Sequence, residues 1–253
     1  MEASARILEM QMLKNASEDI KLSQENAYGA TVAMDTQPHL DVEAAVSLKN
    51  VFFFFSLVFR YPRETVYLEL ERLLPLFGNF MNAYSSNVPE LPKAGDLQAE
   101  YIRLFVNSRD GVPAVPYASY HIDGGVLKGE SYYKLRQIMG ETGFVLDESV
   151  GELEDHLAVL LEFCSMLTDR LIRVSASGGA QMEEIRNTIG EVIARYLQPS
   201  VRAITASISK CAAMEFYAVS TRALRNFLAE VKMIYAHVFS VPVSAAIKTG
   251  VKK

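Results

Sequence analysis

Apolar residues recur at intervals of three and four along most of this chain, and that spacing is the strongest constraint on its fold. Met182, Ile185, Ile189, Val192, Ile193 and Tyr196 form one such stripe. Tyr217, Leu224, Leu228, Val231 and Tyr235 form another. Earlier, Val66, Leu70, Leu73, Leu74 and Phe77 follow Glu64, and Leu97, Tyr101, Leu104 and Phe105 share one side of 96–106. Helical patterns also cover 130–142, 152–173, 182–197 and 214–236. No sustained period-two alternation and no internal repeat occurs, so the spacing predicts an all-α fold, a single helical-bundle-like domain. At 253 residues the chain has ample material for its core. The expected organisation is an N-terminal arm over 1–40 (mobile, with polar Asn, Ser and Gln), a helical domain over 41–238 and a tail over 239–253.

The most apolar stretch, VFFFFSLVF from Val51, raises the question of a membrane span. Its run of about nine residues falls far short of the roughly twenty a span needs, and Glu43 and Lys49 interrupt it upstream. It reads as a buried helix, capped by Asp41 and stopping before Pro62. Asn79 to Pro92 reads as loop. The opening residues lack the basic and apolar regions of a secretory signal. A net charge of −5 and the lack of a Lys/Arg cluster argue against a nucleic-acid groove. Cys164 and Cys211 lie in apolar helical patterns without CxxC spacing, which fits buried thiols in a reducing compartment.

Two segments carry candidate chemistry. The first, NSRDGVPAVPYASYHIDGGVLKGE from Asn107, is longer than twenty residues, a length that in a compact domain points to function or disorder. Its Val115, Tyr117, Tyr120 and Ile122 suit an ordered loop. The second is ELEDHLAVLLEFCSML from Glu152, where three acids and a histidine precede an unbroken apolar run. On a helix Glu152 and His156 would share a face, with Asp155 close by. Such a trio can be read three ways: as a partial metal site, as acids at the positive end of a helix dipole, or as a local Asp155–His156 switch. A metal-dependent hydrolase using Glu152, Asp155 and His156 is the enzymatic alternative, although zinc sites on helices usually pair two histidines and only four occur here. There is no GxSxG elbow, phosphate loop or GxGxxG.

YIRLF (101–105), VPYASYHIDGG (115–125) and ELEDHLAVLLEFCSML (152–167) occur in that order, and together they resemble the TorD/DmsD/NarJ family of cytoplasmic chaperones that mature molybdenum-containing redox enzymes. The resemblance covers roughly 43–236. It implies an all-helical fold and a binding rather than enzymatic task, with no cofactor of its own. The partner it implies is the catalytic subunit of a molybdenum-containing oxidoreductase, bound through its N-terminal signal peptide, often a twin-arginine one, until the cofactor is inserted. No nucleic acid and no stable membrane insertion are expected. The same likeness makes Tyr117, Ser119, Tyr120, Glu152, Asp155 and His156 the expected client-binding residues. Leu153 departs from the pattern, because the family commonly has proline there. Proline would fix φ and favour a hinge, so a hinge or domain-swapping role is not carried over.

Overall fold

The computed structural model describes residues 40–109, 111–147, 151–175, 179–211 and 213–238, with backbone alone for 232–238. Apart from Leu40, which is buried in the core, the expected arm therefore lies outside the described residues, as do the expected tail and the Tyr235 side chain. Within them the chain is all-helical, and its only extended pairing is one isolated antiparallel bridge between Tyr117 and His156.

The Phe-rich stretch is helix α1, Val42–Val58, and the Asp41 carboxylate caps it by accepting the Ala44 N–H at 3.0 Å. Every residue from Asn50 to Val58 is buried. A helix that is apolar all round belongs in a protein interior, and α1 is this domain's central rod. No described helix is long and apolar enough to cross a membrane. The principal partner of α1 is α7, Leu157–Val174, which runs alongside it. Two ion pairs edge their contact: Arg60 Nη2 to Glu162 Oε2 at 2.5 Å and Lys49 Nζ to Asp169 Oδ1 at 3.4 Å.

Helix α2 (Glu64–Leu73) passes through a 3-10 turn at Leu74–Phe77 into α3, Gly78–Ser85. Helix α3 overturns the expected loop at its first seven positions, 79–85. Its local sequence is polar, but Phe80 packs edge-on against Phe55 and Phe227, and Met81 is fully buried. Tertiary burial overrode weak local propensity there. Then come α4 (Ala94–Tyr101), a π-helical turn (Ile102–Val106), α5 (Ala118–Ile122) and α6 (Glu130–Glu141). After α7, α8 (Ala180–Val192) continues through a second π-turn, Ile193–Leu197, into α9, Gln198–Ile208. Helix α10 is Glu215–Val238 and packs on α1, α3 and α9. Neither α5 nor α9 is among the expected helices. Cys164 is buried as expected, whereas Cys211 lies in the turn after α9, half-buried.

The described stripe residues all face the core, from Val66 and Leu70 to Leu228 and Val231. Tyr101 and Phe105 tie three elements together. The Tyr101 hydroxyl donates to the Phe59 carbonyl at the end of α1, and the Phe105 ring meets those of Phe59 and Tyr217. This junction forms the floor of the site.

Candidate functional site

Helix α7 does not begin where the apolar pattern begins. Residues 153–156 form a turn, closed by the His156 N–H donating to the Leu153 carbonyl at 3.0 Å, and His156 is the helix N-cap. Its Nδ1 accepts the Ala158 N–H at 3.2 Å. The acids are therefore not in the first helical turn, and the helix-dipole reading gives way to a more specific arrangement. Each acid grips a different part of the structure in front of it.

Glu152 accepts the Tyr117 hydroxyl at 2.7 Å. Glu154 accepts the Tyr132 hydroxyl at 2.7 Å and pairs with Arg136 at 2.9 Å, which fastens α6. Asp155 Oδ2 accepts the Ser119 N–H at 2.8 Å, satisfying a free amide in the first turn of α5. The backbone completes the seam: the Leu157 N–H donates to the Pro116 carbonyl, and the Ala118 N–H to the Asp155 carbonyl. The loop that length alone marked as unusual is thus held at 116–119 by contacts to 152–157. The Ser119 hydroxyl in turn accepts the Lys128 N–H at 3.2 Å.

These contacts settle where the expected site residues lie. Ser119, Asp155 and His156 are buried, the first two completely. Asp155, one of the expected client-binding residues, turns its carboxylate to the α5 backbone and away from solvent. Burial raises its pKa above the ordinary carboxyl value, while the Ser119 contacts oppose that shift. The Asp155–His156 switch does not form either, because each side chain serves a separate backbone N–H.

His156 sits 3.9 Å from Glu152 through Nε2, a distance short enough to suggest an ion pair. It is not one. Burial, with Arg60 nearby, pushes the imidazole pKa down to about 3. With Nδ1 accepting from the backbone, the neutral ring carries its hydrogen on Nε2, which faces Glu152. The Tyr117 ring stands edge-on to the imidazole at 5.2 Å. Burial first, and then Glu152, raise the Tyr117 phenol pKa.

The metal-site trio is not assembled. Asp155 Oδ2 and His156 Nδ1 are taken up by main-chain N–H groups, and no three His, Cys, Asp or Glu side chains among the described residues are grouped to hold a metal ion.

In front of this seam lies a cleft of about 460 Å³. Tyr101, Phe105 and Val106 line one side, and the loop supplies Val112, Val115, Tyr117, Tyr120 and Leu127. Glu152 and His156 also line it, and Glu152 is its single carboxylate. Of the six expected residues, four line the cleft and two, Ser119 and Asp155, stand behind it. Tyr101 and Phe105, expected on one side of a helix, are buried in the core, and each also lines the cleft. Their π-turn was the missed feature, since such bulges often mark functional positions.

The family model for the nitrate reductase delta subunit matches residues 61–202, more than half of the chain. The chain belongs to that family. The expected kinship with NarJ-type and TorD-type proteins holds. Chaperone protein TorD of Vibrio cholerae serotype O1 (strain ATCC 39315 / El Tor Inaba N16961) is 28% identical over 137 residues, 54% of this chain and 61% of the relative. TorD of Vibrio parahaemolyticus serotype O3:K6 is 31% identical over 96 residues, 38% of this chain and 44% of the relative. The chain thus spans about three fifths or less of the length of these curated relatives. A crystal structure described as a redox enzyme maturation protein, from Archaeoglobus fulgidus, aligns with a TM-score of 0.46 at 24% identity, covering 81% of this chain and 99% of the other.

Proposed function

We propose that this protein is a cytoplasmic chaperone for a molybdenum-containing oxidoreductase. In this reading it holds the catalytic subunit through its N-terminal segment until cofactor insertion is complete, before export or assembly. Membership of the delta-subunit family and likeness to proteins named as chaperones support the general task. The observation that carries the binding mode is the cleft, where an apolar wall ends at a lone carboxylate. Val106, Tyr120 and Leu127 line it and still expose 55%, 37% and 49% of their surface. Exposed apolar residues gathered around one concavity mark an interaction site.

A signal peptide joins an apolar run to basic residues. The apolar run would lie along Phe105, Val106, Tyr120 and Leu127, and a basic residue, such as one of a twin-arginine pair, would reach Glu152. Tyr117, Tyr120, Glu152 and His156 then face the client, while Ser119 and Asp155 keep the wall in place. Calorimetric titration with the N-terminal peptide of a molybdenum oxidoreductase catalytic subunit tests this. Saturable binding that weakens as salt rises is expected, because ionic screening acts over about 10 Å at 0.1 M. Absence of binding at any salt concentration would overturn it.

A further inference from the structure

Glu152 is the single carboxylate of the cleft, and one of its oxygens is already engaged. Tyr117 Oη donates to Oε2 at 2.7 Å, while the glutamate side chain keeps 30% of its surface exposed. A guanidinium binds a carboxylate most strongly as a fork that engages both oxygens. An incoming arginine fork therefore meets the Tyr117 hydroxyl at Oε2, where the tyrosine already holds one of the oxygen's two acceptor positions. Neutral His156 does not compensate the charge of Glu152, since burial holds its pKa near 3.

We propose that the Tyr117–Glu152 hydrogen bond is a latch on the cleft's charge-reading residue: Tyr117 masks Glu152 when the cleft is empty, and an arginine side chain opens it. This rests on the peptide-binding reading given above. Glu152 is thereby a specificity-determining residue and Tyr117 the group that sets its threshold. A lysine ammonium is a point donor that can take the remaining oxygen alone, so the latch costs lysine less than arginine and narrows the advantage of arginine.

The latch also accounts for the placement of Tyr117. Its ring is held from behind by His156 and its backbone by the bridge to the same residue. The hydroxyl is thus fixed in direction, and only the Glu152 carboxylate receives it. Removing the hydroxyl leaves the ring and bridge in place and frees Oε2.

The test uses the full chain, wild type and the variants Tyr117→Phe and Glu152→Gln, with three synthetic peptides. Each peptide has one leucine-rich apolar run preceded by two arginines, two lysines or two citrullines. Affinities are read by fluorescence anisotropy, and thermal melts confirm folding. Tyr117→Phe should bind the arginine peptide roughly three- to tenfold more tightly than wild type, the scale of one hydrogen bond to a charged group partly offset by water. The gain for the citrulline peptide should be smaller, because its neutral ureido group bonds a carboxylate more weakly than a guanidinium does. Glu152→Gln should lose the preference for arginine over citrulline. Unchanged or weaker arginine binding by Tyr117→Phe, with the peptides still bound, overturns the latch and leaves the cleft reading standing. Failure of all three peptides to bind wild type and Tyr117→Phe overturns both.

Discussion

The α1–α7 pair and the wall of the cleft are built on opposite principles. The helix pair is held by many interchangeable apolar contacts: Phe52, Phe54, Phe55, Leu160, Leu161 and Cys164 are all fully buried. The wall is held by a few polar contacts, each made once. Glu152 holds Tyr117, Asp155 holds Ser119, Glu154 holds Tyr132 and Arg136, and two backbone hydrogen bonds lie between them. A packed core is over-determined, whereas a wall of single contacts can be altered one contact at a time. Stability and binding should therefore separate by region.

The largest effect belongs to the core. Phe54 is fully buried and stacks on Phe77 with ring centroids 4.2 Å apart. Phe54→Ala should cost about 3–5 kcal/mol in urea denaturation. A loss below about 1 kcal/mol would mean that the core repacks freely and the contrast between the two regions fails.

Next is the pH dependence contributed by His156. Its folded pKa is depressed to about 3 from an unfolded value near 6.5. Between those values the unfolded chain takes up a proton that the folded chain refuses. Stability from this group is therefore complete above about pH 6.5 and falls on acidification, by about 1.4 kcal/mol per pH unit within that window. His156→Asn keeps a capping acceptor but cannot titrate, so its stability should fall less steeply between pH 6.5 and 4. Parallel slopes for variant and wild type would show that His156 is not buried neutral.

Asp155 runs the other way and has a smaller effect. Burial raises its folded pKa, so stability from the uncharged carboxyl is present below the ordinary aspartate range and is lost as pH rises through the raised value. Asp155→Asn retains an acceptor for the Ser119 N–H and sheds the buried charge. At neutral pH it should stay within about 1 kcal/mol of wild type, whereas Asp155→Ala should lose about 1–2 kcal/mol. Equal damage from both would mean that the charge itself holds α5.

The smallest effect is expected at the partly exposed Glu154–Arg136 pair. Arg136→Ala should shift stability by less than about 1 kcal/mol and leave peptide affinity unchanged. A larger loss would show that α6 belongs to the wall's cooperative unit.

The same contrast explains what could be read in the sequence. The stripes from Val66 to Val231 reported the core because burial of a helical face is written into its own spacing. Residues 79–85 escaped because their helicity comes from partners far along the chain, such as Phe227 against Phe80, whereas α9 carries its own helical spacing in Val201, Ile204 and Ile208. Four of the six residues to which the resemblance pointed line the cleft, but the orientations of their side chains were not legible. Whether the Asp155 carboxylate faces water or protein depends on Ser119, thirty-six residues earlier. Nothing between Glu152 and Leu157 encodes that choice. The short helix α5, which supplies the amide that Asp155 caps, is too brief to show a period.

The central claim is that the client lies in the cleft beside Tyr120. A photo-crosslinking amino acid placed at position 120, and in a separate protein at Leu68, exposed on α2 outside the cleft lining, tests it directly with the client's N-terminal peptide. The account predicts a strong crosslink from position 120 and none above background from position 68. A crosslink from position 68 with none from position 120 would contradict it.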